Sequence, residues 1–390
     1  MNAVVYLDNA ATTPVDPRVV EAMLKCLGSE GDFANPAAVA HAPGRRAHDR
    51  IERARAEVAA LVGAEPAQVV WTSGATEADN LALLGAARFY QTRGRHLVTS
   101  RTEHPAVLAA CRQLEREGFE VTYLRPGADG IVQPGQVESA LRPDTILVSL
   151  MHVNNEIGVV QEVGSVGRMC RARGILFHVD AAQGAGKLPI DVKRDCIDLL
   201  ALTAHKLHGP KGVGALCVRR EPRLGLVPLL HGGGQEHGLR PGTVATHQVV
   251  GMGVACRIAT EEGSEECNRV ASLRERLWRG LALLPGVMLN GHPTQRAPGI
   301  LNVTIDGVEG ESLLYALPGL AVASGSACAT TSAEPSYVLR SLGRSDRLAQ
   351  SSLRLSLGRY TTAGDIEQAA QAIRAAVERL RAVAPPGVAG

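Results

Sequence analysis

The stretch ILFHVDAAQGAGKLPIDVKRDCIDLLALTAHKLHGPKGVGALCV, residues 175–218, decides the fold. It holds apolar runs of strand length at Ile175–Val179, Leu199–Leu202 and Val213–Val218, separated by polar, glycine-bearing connections. Toward the N-terminus, similar runs occur at Val69–Thr72, His96–Ser100, Glu120–Leu124 and Thr145–Leu150. They alternate with helical patterns at Arg45–Leu61, Thr76–Tyr90, Pro105–Glu117 and Val163–Arg173. That alternation predicts an α/β fold: a mainly parallel, doubly wound sheet with helices on both faces. Ligands of such sheets sit beyond the carboxyl ends of the strands, so any chemistry should gather there.

Toward the C-terminus, residues 246–284 read as one long helical pattern with a break expected at Gly263. Its length suits an element connecting two domains. Shorter signals follow: ILNVTI, GESLLYAL, LRLSL and a helix over Asp365–Val383. The expected division is a large domain at 15–260 and a smaller α/β domain built from 1–14 and 261–390.

A chain of 390 residues suits two domains. Aromatics make up only 3%, so the core must come largely from Ala, Val, Leu and Ile. A net charge of +2 supplies no basic field for nucleic acid, and the arginine runs are interleaved with glutamate as on solvated helix faces. No stretch approaches the roughly 20 apolar residues of a membrane span. MNAVVYLDNAATTP lacks the basic-then-apolar order of a signal peptide, so a cytoplasmic location is expected. None of the eight cysteines forms a CxxC pair, which argues against a zinc site or disulfide framework.

Within the quoted stretch, Asp180 ends a strand. A carboxylate there can hold a heterocyclic nitrogen protonated, as a pyridinium cofactor requires, or it can simply cap a turn. Lys206 follows the next strand among His205, Thr203 and flanking glycines. Desolvation at that position lowers a lysine's pKa and suits Schiff-base chemistry. The bland alternative, a surface lysine in a loop, weakens because Asp180 lies one strand–helix unit upstream. Upstream again, VVWTSGATEADNLAL runs a strand into Ser73–Thr76 and a helix start, which reads as a phosphate cradle or an ordinary capped helix.

HGGGQEHGLRPGT also offers glycines to an anion. No GxSxG elbow accompanies HGGG, and QGAGK lacks Walker A spacing, so serine-hydrolase and nucleotidase readings fail. Cys328 sits in a loop of small residues, SGSACATTS, which suits either a travelling thiol or a small filler. Arg354, in SSLRLSLGR, is a candidate for capturing a carboxylate, or a surface strand arginine.

Taken together, YLDNAATTPVDPRV, TSGATEADNLA, EHPAVL, MHVNNEIGVVQ, HVDAAQGAGKLPID, AHKLHGPKGVGAL, HGGGQEHGLRPGT and SGSAC with EPSYVLRSLG resemble the cysteine desulfurases of iron–sulfur cluster assembly, the IscS/NifS group. The resemblance implies fold type I of the enzymes that use pyridoxal 5'-phosphate, with a seven-stranded sheet. It implies that Lys206 carries the cofactor, Asp180 pairs with its ring nitrogen, Gln183 bonds its ring hydroxyl, and His104 stacks on the ring. Ala75, Thr76, Thr203 and His205 would hold the phosphate, joined by Thr243 from a second subunit of a homodimer. Asn155, also near the cofactor, would bind the carboxylate of L-cysteine with Arg354. Cys328 would take the sulfur as a persulfide and would be a transient iron–sulfur cluster ligand shared with a scaffold.

The same resemblance implies conversion of L-cysteine to L-alanine, with sulfur passed to an iron–sulfur scaffold protein and other acceptors. Thr203 stands where the family often has serine, keeping a hydroxyl donor. The APPGVAG end is shorter than the tail by which related enzymes dock their scaffold, so docking is implied less firmly than catalysis. The rival readings are another enzyme of the same fold, such as an aminotransferase, selenocysteine lyase or kynureninase-like lyase, and a non-enzymatic sulfur-relay module.

Overall fold

The computed structural model describes residues 4–324 and 334–383. Cys328 and the APPGVAG end lie outside the described residues. The strands are β1 (Val5–Tyr6), β2 (Val69–Thr72), β3 (His96–Ser100), β4 (Glu120–Leu124), β5 (Thr145–Ser149), β6 (Leu176–Asp180), β7 (Leu199–Thr203), β8 (Gly214–Val218), β9 (Val287–Leu289), β10 (Ile300–Ile305), β11 (Leu320–Ala321), β12 (Ala323–Ser324) and β13 (Ser352–Ser356). The helices that frame the large sheet are α1 (Pro17–Leu24), α2 (Ala42–Leu61), α3 (Ala75–Tyr90), α4 (Pro105–Arg116), α5 (Pro134–Ala140), α6 (Val163–Ala172) and α7 (Thr246–Ala282).

The large sheet has seven strands in the order β2-β8-β7-β6-β5-β3-β4. Neighbours from β7 through β4 run parallel, and β8 runs antiparallel to both β7 and β2. The expected mainly parallel sheet is therefore present, with one reversed strand. β8 returns from β7 through a loop of about ten residues, too short for the crossover that a parallel neighbour needs.

Alternate residues of each strand feed two separate cores. Leu200 and Leu202 pack on one face with α2, α6 and the first half of α7. Leu199 and Ala201 pack on the other with α3 and α4. Burial on both faces is why these strands read as continuous apolar runs rather than as an alternating pattern.

A second sheet, β12-β13-β10-β9, is antiparallel and has its own core with α8 (Gly310–Tyr315) and the last helix. Between them lie α9 (Tyr337–Ser341) and α10 (Asp346–Gln350), and α11 (Ala363–Val383) closes the chain. The N-terminal segment belongs here too: β1 pairs with β11, and Asp8 bridges to Ser356.

The 37-residue α7 joins the two cores, with Met252 and Cys256 in the first and Leu277 and Leu281 in the small one. The break expected at Gly263 does not occur. A Cβ at Gly263 would stand 3.1 Å from the Gly186 carbonyl oxygen, so the glycine serves close packing beside the large sheet rather than ending the helix.

Candidate active site

The carboxyl ends of β6 and β7, the start of α3 and one strand of the small sheet surround a cavity of about 520 Å³. Ala75, Thr76, His104, Asn155, Asp180, Gln183, Thr203, His205, Lys206 and Arg354 all line it. Segments up to 344 residues apart in the chain, Ala10 and Arg354, thus meet where an open α/β sheet is expected to bind ligands.

Asp180 is the last residue of β6 and is buried, and its Oδ1 accepts the Ala182 N–H at 2.9 Å. One turn on, Gln183 Nε2 donates to the Ala10 carbonyl at 2.8 Å, while its Oε1 faces Lys187 Nζ at 3.5 Å. A donor-only ammonium on one side and an acceptor-only carbonyl on the other fix which way the amide points. Lys206 ends a short turn after β7, and its Nζ donates to the same Ala10 carbonyl. The N-terminal segment therefore forms one wall of the site.

His104 caps α4, its Nδ1 accepting the Ala106 N–H at 3.2 Å, so a neutral ring carries its proton on Nε2. Burial lowers its pKa, Asp180 opposes that, and Lys206 reinforces it. His205 sits with Nδ1 3.2 Å from Thr12 Oγ1, and burial, followed by nearby lysines, brings it down to about 4. Both imidazoles are neutral near pH 7.

At the other side of the cavity, α3 begins at Ala75 behind Gly74, which has no side chain to cap the helix. Glu77 in the first turn is drawn aside by Arg240 at 3.1 Å and by the Ser73 N–H at 2.7 Å. The helix N-terminus thus keeps its N–H groups and positive dipole end toward the cavity. A Cβ on Gly214, at the start of β8, would come within 2.6 Å of Gly74 Cα, so glycine there lets the turn lie against the sheet.

The opposite end is built from the small sheet. Arg354 on β13 is buried, donating to the Asn155 carbonyl at 3.0 Å and to Asp8 Oδ1 at 2.8 Å. Its Nε and the Asn155 Oδ1 are buried with no hydrogen-bond partner among the described residues. Two opposite polar groups left open at one end of a cavity are what an amino acid's carboxylate and amine would complete.

Two expected site residues stand apart. Thr243 is exposed and does not line this cavity. Its loop is pinned by Glu236, which pairs with Arg55 at 2.8 and 2.9 Å and accepts the Trp71 N–H. Glu236 and His237 hold left-handed φ values of 47° and 59°, conformations that persist only under such anchoring. Cys328 lies outside the described residues, but both flanks of its segment reach the site. Ala323 pairs with Arg354, and the Tyr337 hydroxyl donates to the Glu103 carbonyl at 2.7 Å.

Sequence reasoning missed Asp8, Ala10 and Glu103. Each lies in a segment quoted above, but a role that consists of a backbone carbonyl or a contact hundreds of residues away leaves no local signal.

The donor set fits pyridoxal 5'-phosphate: a helix N-terminus with Thr76, Thr203 and His205 for a phosphate, Asp180 for a ring nitrogen, and Lys206 for a covalent link. Residues 5–369 match the family model described as aminotransferase class-V. Relatives named cysteine desulfurase IscS, from Pectobacterium atrosepticum and Klebsiella pneumoniae subsp. pneumoniae, are each 56% identical over 385 residues, covering 99% of this chain and 95% of theirs. A solved NifS-like protein matches with a TM-score of 0.89 at 35% identity, covering 97% of this chain and 100% of its own. A structure of SspA in complex with cysteine matches at 0.81 and 40% identity, covering 92% and 99%. With a family model over nearly its whole length and relatives identical at more than half of its positions, this chain belongs to the aminotransferase class-V family, among the cysteine desulfurases of the IscS/NifS group.

Proposed function

We propose that the protein is a cysteine desulfurase that converts L-cysteine to L-alanine and holds the sulfur on Cys328 for iron–sulfur cluster assembly and other acceptors. The observation that carries this reading is one cavity with two chemically distinct ends. Lys206, Asp180, Gln183 and His104 stand at one end, and Arg354 with Asn155 stands at the other.

When bound, pyridoxal 5'-phosphate supplies an electron sink for charge developing at the substrate's α carbon. Asp180 would hold the ring nitrogen and Gln183 the ring hydroxyl. Ala75, Thr76, Thr203 and His205 hold the phosphate. Arg354 and Asn155 orient the cysteine carboxylate. Lys206 Nζ is the covalent anchor and the base that moves the α-proton. His104, neutral and with its proton on Nε2, would stack on the ring and assist proton transfer. The Cys328 thiolate would then attack the substrate sulfur: an S–S bond forms, the substrate's C–S bond breaks with its electron pair left on the β carbon, that carbon takes up a proton, and alanine leaves.

Cys328 would also serve as a transient iron–sulfur cluster ligand shared with a scaffold. Thr243 would complete the phosphate site of a second copy in a homodimer. Val20, Leu24, Leu27, Phe33 and Val39 expose apolar side chains within a stretch of twenty residues, which supports such an interface. The division into a domain at 15–260 and one of 1–14 with 261–390 accords with separate cores joined by α7. A cytoplasmic setting accords with free thiols at all the described cysteines. No helix among the described residues is long and apolar enough to cross a membrane.

Incubation with L-cysteine followed by mass spectrometry tests this reading. Alanine release and a gain of one sulfur atom on the Cys328 peptide are expected, both lost in Cys328→Ala while cofactor absorbance is retained. Undiminished alanine from Cys328→Ala would remove the nucleophile assignment, and transfer of the amino group to a keto acid without sulfur release would favour an aminotransferase.

A further inference from the structure

After β5 the chain folds back on itself in a tight turn that carries Asn155. The Asn154 N–H donates to the Val159 carbonyl at 2.9 Å, and the Gly158 N–H returns to the Asn154 carbonyl at 3.0 Å. Asn154 Oδ1 accepts the N–H groups of Glu156 and Ile157, both at 2.9 Å. These bonds close the turn from inside. Its carbonyls are met from outside, each by a donor from the C-terminal part of the chain. Asn155 takes Arg354 at 3.0 Å, Glu156 takes Asn302 Nδ2 at 3.2 Å, Ile157 takes Arg296 at 3.1 Å, and Gly158 takes the Ala297 N–H at 2.7 Å. Gly158 holds φ 73°, and a Cβ there would stand 2.8 Å from Ile300 Cβ, so glycine lets the turn lie directly on β10.

Two of these donors are neighbours. Asn302 on β10 pairs with Arg354 on β13, so their side chains leave the same face of the small sheet and reach successive carbonyls of the turn. The direction of the Asn302 amide is set from the far side. Arg344 Nε, which can only donate, bonds Asn290 Oδ1 at 2.9 Å. Asn290 Nδ2 then faces Asn302 Oδ1 at 2.8 Å, which turns Asn302 Nδ2 toward the turn. Asn290 and Asn302 are both 0% exposed. On the opposite face of the same strands Leu301, Val303, Leu353 and Leu355 fill the small core. Packing alone would be served by such side chains on this face too, and buried amides cost desolvation free energy unless their bonds are made. The bonds of Asn302 end one residue from Asn155, which lines the cavity and whose Oδ1 has no partner among the described residues.

We propose that Asn302 is a positioning residue for substrate recognition: together with Arg354 it fixes the turn, so that the Asn155 amide meets the amino acid substrate in one orientation. This rests on the reading of the cavity as the site of a cysteine desulfurase. Without the Asn302 donor the Glu156 carbonyl is buried and unmet, the turn shifts to find a partner, and Asn155 loses its fixed direction. Lys206 is untouched by that shift. The loss therefore falls on binding and is read in the Michaelis constant rather than in turnover.

The test compares the cofactor-loaded native protein with Asn302→Leu, Thr304→Val, Asn155→Ala and the double variant of Asn155→Ala with Asn302→Leu. Alanine release from L-cysteine gives the Michaelis constant and turnover. The cofactor's absorbance change on adding L-alanine gives amino acid binding without sulfur transfer, and thermal unfolding gives stability. Thr304 is the control: it bonds Asn290 and Ser352 in the same buried network, at 2.9 and 2.8 Å, but meets no carbonyl of the turn. Asn302→Leu should raise the Michaelis constant and weaken L-alanine binding about fivefold, with turnover within about twofold of native. Thr304→Val should lower the unfolding midpoint and leave both binding constants within about twofold of native. On top of Asn155→Ala, Asn302→Leu should add less than about twofold, because the two residues act through one contact. Asn302→Ser, too short to reach the Glu156 carbonyl, should repeat the binding loss and is the readout if Asn302→Leu does not fold. Native-like binding by the Asn302 variants overturns the proposal. So does an equal binding loss in Thr304→Val, or an undiminished effect of Asn302→Leu in the double variant. A native protein that neither releases alanine nor responds to L-alanine overturns the functional reading, and the proposal with it.

Discussion

The two ends of the cavity are built on different principles. The end proposed for the cofactor is made by one sheet: Asp180 ends β6 and Lys206 follows the adjacent parallel β7, and neutral His104 and His205 sit around them. The end proposed for the substrate is assembled from distant parts: Arg354 from the small sheet, Asp8 from the N-terminal segment, and Asn155 with Glu156 from the loop after β5. The strands beneath the first end, β6 and β7, are buried on both faces. The second depends on how the small sheet and the N-terminal segment sit on the large one. Residues carried by one sheet and residues assembled from distant segments are thus separated in space, and the described residues flanking the Cys328 segment pair with Arg354 on one side and with the Glu103 carbonyl on the other.

The sharpest way to break the comparison is at the cofactor end. Lys206→Ala removes the covalent anchor and the base together, so turnover should fall by at least about three orders of magnitude. Borohydride reduction of the native protein should fix the cofactor on the peptide containing Lys206, and the variant should show no such adduct. Labelling of another lysine would misplace the site.

This asymmetry also explains what could be read from sequence. Strands buried on both faces write long apolar runs, and Asp180 and Lys206 follow those runs directly, so the fold and the cofactor end were legible in residues 175–218. Strand ends moved by one residue, as where β6 extends to include Asp180. Gly263 misled because a helix-breaking residue and a close-packing one look alike until the carbonyl of Gly186 is seen against it. Asp8 was invisible for a different reason: its partner Arg354 lies 346 positions away. Cys328 had no physical signature beyond a loop of small residues and was reached only through family resemblance.

A smaller effect is expected where the substrate end depends on long-range assembly. Asp8 accepts from Arg354, whose side chain is only 4% exposed, so it both balances and aims a buried guanidinium. Asp8→Asn keeps the shape and loses the charge. The Michaelis constant for L-cysteine should rise about tenfold with turnover changed less than about threefold, because the loss falls on binding common to ground and transition states. An equal fall in turnover with an unchanged Michaelis constant would instead place Asp8 in the chemistry. Steady-state kinetics with alanine as the measured product separates the two.

The smallest effect concerns Glu156, which lies beside Arg354 on the same side of the cavity. Burial pushes its carboxyl up to about 7, opposed by a hydrogen bond with Ser336 and by the Arg354 charge. Its folded value lies above its unfolded one. It therefore contributes stability in full below the ordinary carboxylate range, and that contribution is lost as pH rises through about 7. The histidines at the cofactor end act in the opposite sense. His205 is held down at about 4, so its effect is a loss of stability as pH falls from the usual histidine range toward that value. The two ends therefore act over the same window, between about 4 and about 7, in opposite senses. Urea unfolding of native protein and Glu156→Gln at about pH 6, 7 and 8 should show the native value falling more steeply, by at most about 1.4 kcal/mol per pH unit for one proton. The glutamine variant removes that slope, which runs from the ordinary carboxylate range up to about 7, and the two curves run parallel above it. Curves parallel throughout would mean that Glu156 ionises in the ordinary carboxylate range, and that Arg354 faces two charged carboxylates rather than Asp8 alone.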